Sequence, residues 1–350
     1  MVLEINQTEN KMTRYIGVDL HTNSLTACYI EEGKEIRFKT YQLLPAALRC
    51  FKQSLQPTDE LAVEATGNTE FFIESLGEKI SRIVVVNPRE FKVIRSSVKK
   101  TDKNDARALA YFLSKDMLPE ARRKSKRHQK VGSLAQTRDK FVKSRTYFMN
   151  KVHGILNTCG IKLKKESLGT EKGLQRVLTH ELDEISQFEI EALVSQIRAL
   201  NESIKKLDKK LIEVGSELEG YKNLVSIKGI GDRSAAILLS VIGEVNDFED
   251  ESKLFAYFGV VPRVSNSNET ERSGRITKRG TKLGRTTLVQ CTLIAIRYSS
   301  YLRKFYDRIK GKKGSGKAII ATAKKMLGII YKTLKNNWVF EDFANFVLAK

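Results

Sequence analysis

The sequence is poor in the residues that build disulfide-rich, zinc-binding and membrane-spanning proteins. It has four cysteines in 350 residues, scattered without disulfide or metal-ligand spacing, which favours a reducing, cytoplasmic compartment. His128, His153 and His180 lack ligand partners at metal-binding spacing. No apolar run approaches the length of a bilayer span, and residues 1–11 lack the apolar core of a secretory signal. These absences argue against a disulfide scaffold, a zinc finger and a membrane anchor.

Positive charge is what the sequence has in excess, and it is unevenly distributed. The formal net charge is +21, from 62 Lys and Arg against 41 Asp and Glu. Residues 1–120 carry 17 basic and 17 acidic residues, whereas residues 121–187 carry 16 against 6 and residues 221–350 carry 24 against 11. This asymmetry predicts that the middle and C-terminal parts bind a polyanion. A merely basic, solvated surface is the alternative.

The first 120 residues alternate predicted strands and helices. Hydrophobic periodicity and turn residues give the order strands 14–21, 24–30 and 34–41, helix 45–56, strand 61–64, helix 69–79 and strand 83–86. Three strands in a meander, followed by alternating helices and strands, are the order of a ribonuclease-H-like (RuvC-like) α/β domain. We therefore expect residues 1–120 to form such a domain.

Four carboxylates lie where this expected domain would bring them together. Asp19 and Glu64 end neighbouring strands. Asp102 and Asp105 lie one turn apart at the start of a predicted helix. Four converging acids need divalent cations to stay ionised, and oxygen ligands suit Mg²⁺ or Mn²⁺. Two such ions can hold the attacking and leaving oxygens of a phosphodiester. The alternative is a set of ordinary strand-end and helix-start acids without metal. His21 follows Asp19 closely enough to lie near the metal site, but we expect it to be structural.

Residues 121–187 are predicted to form a basic helical segment. Basic side chains alternate there with aromatic ones such as Phe141 and Tyr147, a combination that can hold nucleic acid. The aromatic residues can equally belong to a core. The residues expected to contact nucleic acid are Arg122, Arg123, Lys124, Lys126 and Arg127.

Residues 188–220 show the clearest periodicity in the chain. Apolar residues fill two heptad rows, one of Ile190, Ile197, Ile204, Leu211 and Leu218, the other of Leu193, Leu200, Leu207 and Val214. Nine consecutive matches favour a two-stranded coiled coil that joins protomers. A helix packed within its own chain is the alternative.

Residues 221–350 are predicted to be mostly helical, with two features that suggest phosphate binding. Lys228, Gly229 and Gly231 lie in a turn that resembles a helix-hairpin-helix, whose backbone N–H groups can approach a phosphate. A polar loop at 263–270 contains Ser267, and the cationic side chains around it can lower the cost of activating a serine. Those expected to bind nucleic acid are Arg263, Arg275, Lys278 and Arg279.

Taken together, these motifs resemble a known family. The stretches 17–19, 63–67 and 101–106 are similar to the four-acid signature of insertion-sequence transposases with a RuvC-like N-terminal domain. The turn at 229–231 and the stretches 257–262 and 274–280 are similar to the C-terminal transposase domain of that family. The resemblance runs from about residue 14 to about residue 335.

The resemblance implies DNA recombination guided by a structured bridge RNA. It also implies that dimers of the protein assemble into a tetramer to form the synapse. It implies that Asp19, Glu64, Asp102 and Asp105 bind metal and that Ser267 attacks the phosphodiester, forming a phosphoserine intermediate. Relatives often have Ser-Gly at this point, whereas this chain has Ser267-Asn268, so Ser265 is a second candidate nucleophile. The expected location is the cytoplasm of a prokaryotic cell, at the nucleoid when the enzyme is active.

Three other functions compete with this interpretation. A RuvC-type structure-selective nuclease would use water and need no serine, and a related DNA invertase would need no guide RNA. A non-catalytic RNA-binding scaffold would need none of the four acids. The acids therefore argue against the scaffold, and the cationic C-terminal half argues against the plain nuclease.

Overall fold

The computed structural model describes residues 13–88, 90, 91, 101–164, 168–267 and 270–340, and for 264–267 and 270–273 only the backbone. The chain divides into two compact units that meet in sequence between Arg123 and Lys124. Among the described residues, no helix is long and apolar enough to cross a membrane. Each unit has a hydrophobic core of its own.

The N-terminal unit is an α/β domain, as predicted from the sequence. Its sheet has the order β3-β2-β1-β4-β5, in which β1 to β3 are antiparallel while β4 and β5 run parallel to β1. The elements are β1 (Tyr15–Leu20), β2 (Ser24–Ile30), β3 (Arg37–Gln42), α1 (Pro45–Gln53), β4 (Glu60–Glu64), α2 (Thr69–Leu76), β5 (Arg82–Val86) and α3 (Asp102–Ser114).

The central strand β1 is buried on both faces because helices cover both sides of the sheet. On one face Val18 packs with Phe51 of α1 and Phe72 of α2. On the other face α3 lies directly on the strand at Gly17. A Cβ atom at Gly17 would be 2.0 Å from the carbonyl oxygen of Ala106, so only glycine permits this approach. The close packing fixes the start of α3 beside the end of β1.

The C-terminal unit is mainly helical, again as predicted. Its elements are α4 (Lys126–Thr158), α5 (Glu171–Leu178), α6 (Glu184–Gly215), α7 (Tyr221–Ser226), α8 (Asp232–Ile242), α9 (Glu251–Phe258), β6 (Pro262–Ser267), β7 (Thr270–Ile276), α10 (Lys282–Tyr298), α11 (Ser300–Lys313) and α12 (Ser315–Lys335). Helices α7 to α12 enclose the larger core, to which one end of the long helix pair also contributes.

That helix pair consists of α4 and α6, which run antiparallel. Arg138 pairs with Asp208 at 2.9 Å, and Lys151 pairs with Glu189 at 3.5 Å, so positions later in α4 meet positions earlier in α6. At the end that includes Val152, apolar side chains of both helices form a separate small core with α5.

The two heptad rows of α6 have different surroundings. The first row, from Ile190 to Leu218, is buried within this chain, whereas the second row, from Leu193 to Val214, is half-buried. The helix predicted over 188–218 is thus present through Gly215, and its first row has the intramolecular partner that the alternative interpretation required. A seam between protomers stays a prediction, and the second row is the one able to form it.

The polar stretch 263–270 differs from the loop expected there. Strands β6 and β7 form an antiparallel hairpin in which Ser265 pairs with Arg272 and Ser267 with Thr270. The composition, rich in Ser and Asn, indicated a loop because these residues favour turns. The stretch forms a strand because it pairs with β7, which follows it in the chain. Local residue propensity does not indicate such pairing.

Candidate active site

The ends of β1 and β4 place Asp19 and Glu64 next to each other on one face of the sheet. In the parallel register Val18 lies opposite Val63, so the next residues of the two strands are these two acids. Side chains alternate between faces along a strand, and Gly17, two residues before Asp19, faces α3. Both carboxylates therefore lie on the face that α3 covers.

The first turn of α3 brings Asp102 and Asp105 to the same place. The helix begins at Asp102 because Thr101 caps it, its hydroxyl accepting a hydrogen bond from the backbone N–H of Asn104 at 3.3 Å. Packing of Gly17 against Ala106 then positions this turn over the end of β1.

His21, expected from the sequence to be structural, completes a compact group of candidate metal ligands. Its Nε2 lies 3.2 Å from a carboxylate oxygen of Asp19 and 3.4 Å from one of Asp102. One ligand atom from each of the three residues lies within 4.8 Å of the others. Its position just beyond β1, two residues after Asp19, was the available signal. The side-chain amide of Asn68 also donates to the His21 carbonyl at 2.8 Å, tying this segment to the loop after β4.

The electrostatics of the cluster favour a cation. Burial raises the pKa of Asp19, and repulsion from Asp102 and Asp105 raises it further, while His21 partly opposes the rise. The group thus holds more negative charge than its own side chains balance. A divalent cation would supply the missing charge, and carboxylate oxygens are suitable ligands for Mg²⁺ or Mn²⁺. Glu64 and Asp105 lie outside the compact three-residue group.

The predicted serine lies on a hairpin whose base is fixed to α9. Ser267 ends β6, and its side chain, like that of Ser265, is outside the described atoms. At the base, the backbone N–H of Lys278 donates to the carbonyl of Gly259 at 3.1 Å. A Cβ at Gly280 would lie 2.0 Å from the carbonyl oxygen of Tyr257, so the chain can cross here only without a side chain. The side chains of Arg263, Arg275, Lys278 and Arg279 are all exposed.

The basic stretch 122–127 contributes part of its charge to contacts within the chain. Arg123 pairs with Glu70 at 3.0 Å, Lys124 donates to the Ser240 carbonyl at 2.6 Å, and Arg127 pairs with Glu217. The two ion pairs partly neutralise Arg123 and Arg127, so the stretch offers less positive charge to a polyanion than its sequence indicates. Arg122 is half-buried and Lys126 is exposed.

The turn that resembles a helix-hairpin-helix has one packed glycine and one open glycine. Gly229, at φ +108°, faces α10, where a Cβ would lie 2.8 Å from the backbone nitrogen of Ala295. Its packing alone accounts for a glycine. Gly231 precedes α8 and has nothing within 4 Å of a Cβ position, so the N-terminus of that helix is accessible. Lys228 beside them is exposed.

Two family models match most of the chain. A model of DEDD transposases of the IS110 type matches residues 16–161, and the model described as "Transposase IS116/IS110/IS902 family" matches residues 221–307. The first contains all four acids and the second contains the serine hairpin. The chain belongs to this family of insertion-sequence transposases and is an enzyme that cuts and rejoins DNA.

Individual relatives are similar in sequence to this chain over most of their own length and most of its length. The transposase for insertion sequence element IS1111A of Coxiella burnetii is 25% identical over 335 residues, covering 93% of this chain and 90% of its own. The pilin gene-inverting protein of Moraxella lacunata is 27% identical over 347 residues, covering 93% and 97%. A probable family 20 transposase of Pseudomonas aeruginosa is 26% identical over 292 residues, covering 81% and 84%.

Proposed function

We propose that this transposase uses its acids to bind Mg²⁺ or Mn²⁺ and uses Ser267 to attack DNA. The N-terminal unit is then a ribonuclease-H-like (RuvC-like) catalytic domain, an assignment that its strand order supports. The observation that carries the proposal is the cluster of Asp19, His21 and Asp102 at the ends of β1 and α3. Glu64 and Asp105, on the same face, complete the ligand set.

Each part of the site has a defined task in this reaction. When bound, Mg²⁺ or Mn²⁺ would supply positive charge that polarises the phosphodiester and offsets the charge that develops on it. The acids would hold the cations. His21, whose Nε2 lies 3.2 Å from Asp19 and 3.4 Å from Asp102, can orient these two carboxylates or serve as a further ligand. The Ser267 hydroxyl loses its proton and forms a bond to phosphorus, while a bond from phosphorus to one deoxyribose oxygen breaks and that oxygen leaves as a hydroxyl. Attack by a sugar hydroxyl on the phosphoserine reverses the step and rejoins the DNA.

Ser267→Ala is expected to abolish a covalent protein–DNA adduct, because alanine has no oxygen to bond to phosphorus. The measurement traps the reaction on a nicked, radiolabelled DNA and maps the labelled peptide after digestion. Ser265→Ala is the matched control, because it makes the same chemical change two residues earlier on β6. This variant should retain the adduct because Ser267 is still present. Loss of label only in Ser265→Ala would move the nucleophile by two residues. Free ends produced equally well by Ser267→Ala would mean that water attacks, as in a nuclease.

Guide RNA is the second element of the proposal, with the C-terminal unit as its binding part. The support is the basic excess of 24 against 11 over residues 221–350 and the cationic side chains beside the serine hairpin. Sequencing the RNA that co-purifies with the protein tests it directly. A single structured RNA species encoded beside the element is the expected result, and DNA cleavage that is unaffected by ribonuclease would contradict it.

Self-association through α6 is expected to depend on its half-buried row. Leu200→Asp with Leu207→Asp places two charges in that row and should convert oligomer to monomer in sedimentation velocity. The paired control is Lys205→Asp with Lys209→Asp, at exposed positions of the same helix. Ile197 is unsuitable because it is buried against the same chain, where a charge would unfold the helix pair. An unchanged oligomer with intact helical circular dichroism would show that this row does not join protomers.

A DNA invertase is the second candidate, because the Moraxella relatives named as pilin gene-inverting proteins match along nearly their whole length. Inversion uses the same cutting and rejoining steps on two sites in one molecule. A plasmid with two sites in opposite orientation, assayed without RNA, distinguishes it from guided transposition.

A further inference from the structure

An open groove in the C-terminal unit lies on the helices α9, α11 and α12, away from the serine hairpin in sequence. Its volume is about 370 Å³, within the range of ligand pockets. The α12 wall lies beyond residue 307, where the matched family model ends. Charged and aromatic side chains line the groove, among them Glu251, Tyr301, Phe305, Lys325, Lys332 and Trp338.

Lysines and aromatic rings alternate along this groove. The Lys325 ammonium lies 5.0 Å from the ring centroid of Tyr301 and 4.9 Å from that of Phe305. The Lys324 ammonium lies 5.0 Å from the ring centroid of Phe255. Cation–π contacts of this kind hold the ammonium groups over the rings. The groove thus presents fixed positive charge beside flat apolar surface.

Trp338 supplies an exposed flat ring at the edge. It follows α12 and is 52% exposed, although exposing an indole to water is unfavourable. Exposed aromatic rings next to basic side chains are how proteins bind single-stranded nucleic acid, because bases stack on the rings while cations contact the phosphates. The ring and the Lys332 side chain, both lining the groove, match a nucleotide in this way.

Glu251 adds an acceptor to a surface that is otherwise cationic and apolar. One of its carboxylate oxygens lies 3.0 Å from the position that a Cβ would take at Gly328, so the absence of a side chain there makes room for it. A carboxylate offers two acceptors side by side and no donor. The Watson–Crick edge of guanine offers two adjacent donors, the N1–H and an N–H of the exocyclic amine, which match them.

We propose that this groove binds one unstacked guanine of a single-stranded nucleic acid, with the base on Trp338, its edge on Glu251 and its phosphates on Lys325 and Lys332. The inference rests on the proposed function, which brings the chain to nucleic acid, and it adds a second contact that needs no cleavage. The site is built by α9, α11, α12 and the segment after α12, all within one compact unit.

The experiment uses Trp338 as its own reporter, because it is the only tryptophan in the chain. Five-nucleotide single strands containing one guanine, one inosine or one cytosine, in ribose and deoxyribose forms, are titrated into the full-length protein. Guanine is expected to quench the fluorescence and to bind about tenfold tighter than inosine, which lacks the exocyclic amine. Equal quenching by all three strands, or none, overturns the proposal.

Substitutions of single residues distinguish the contact with the base edge from the contacts with phosphates. Glu251→Gln should bind guanine and inosine equally, because an amide offers only one acceptor, and Lys332→Gln should weaken every strand and reduce the salt dependence. Lys335→Gln, the same change on the exposed end of α12 outside the groove, should do neither. A Lys335→Gln effect equal to that of Lys332→Gln would show general charge attraction and overturn the site. Quenching should persist in Asp102→Asn, so failure here is distinct from failure of the proposed cleavage chemistry.

Discussion

Asp102→Asn should reduce DNA cleavage about a thousandfold or more while leaving DNA binding nearly unchanged. Asp102 provides one of the three clustered ligand atoms, and asparagine keeps its size but removes its charge. Losing a metal ligand forfeits several kcal/mol of charge stabilisation in the transition state. Binding is spared because a carboxylate contacts no phosphate, and removal of a negative charge slightly strengthens attraction to DNA. Cleavage rates against Mg²⁺ concentration, with affinity from mobility shifts, measure both.

The control for this variant is Asp116→Asn, which makes the same chemical change just past the other end of α3. Asp116 has a positive φ of 50°, a conformation that asparagine tolerates well, and its only described loss is a surface ion pair with Arg82. It should cut DNA at the wild-type rate. Equal cleavage by Asp102→Asn would remove this residue from the site, and equal loss in both variants would indicate unfolding of the helix.

Gly17→Ala should destabilise the N-terminal unit by about 3 kcal/mol or more, the upper end of the range for overpacked cores. The added methyl group would lie 2.0 Å from the Ala106 carbonyl oxygen and 2.4 Å from the backbone nitrogen of Ala110, so α3 must move off β1. Backbone atoms cannot rotate away as a flexible side chain can. Hydrogen exchange of peptides from β1 and α3, together with thermal melting, measures the effect.

Moving α3 also moves Asp102, so Gly17→Ala should lose cleavage even below its melting temperature. The matched control is Gly67→Ala in the same unit, where a Cβ meets nothing within 4 Å and the change should be neutral or slightly stabilising. Wild-type exchange rates for Gly17→Ala would show that α3 does not need this close approach to β1.

The sequence predicted those features that residues close together in the chain determine, and it did not predict those that depend on contacts between distant residues. Alternating apolar residues identified the sheet around Val18 and Val63, because strand burial leaves a local pattern. The positions of Asp19 and Glu64 at strand ends followed from it. The position of His21 two residues after Asp19 indicated that it lies near the site. Its contacts with two carboxylates also depend on the packing of α3, far along the chain, so the spacing alone did not identify it as a candidate ligand.

The features of the C-terminal half that the sequence left undecided have the same origin. A heptad indicates that Ile197 is buried but does not identify its partner, and here Ile197 packs with residues of α4 in the same chain. The serine-containing stretch formed a hairpin because its partner strand follows it, although its own residues favour turns. Basic residues such as Arg123 and Arg127 carry charge that neighbouring acids partly neutralise, which composition cannot reveal.

The close contacts of Gly259 and Gly280 hold the base of the serine hairpin in place, so a rotation of the hairpin would occur about this base. The strand β6 has 6 residues, and a strand of that size is about 20 Å long. Rotating the strand by about 10° about the base of the hairpin would therefore displace its far end by about 3 Å. Reacting atoms must approach to about 3–3.5 Å, so in the proposed reaction a rotation of this size would be enough to bring Ser267 into or out of line with a phosphodiester.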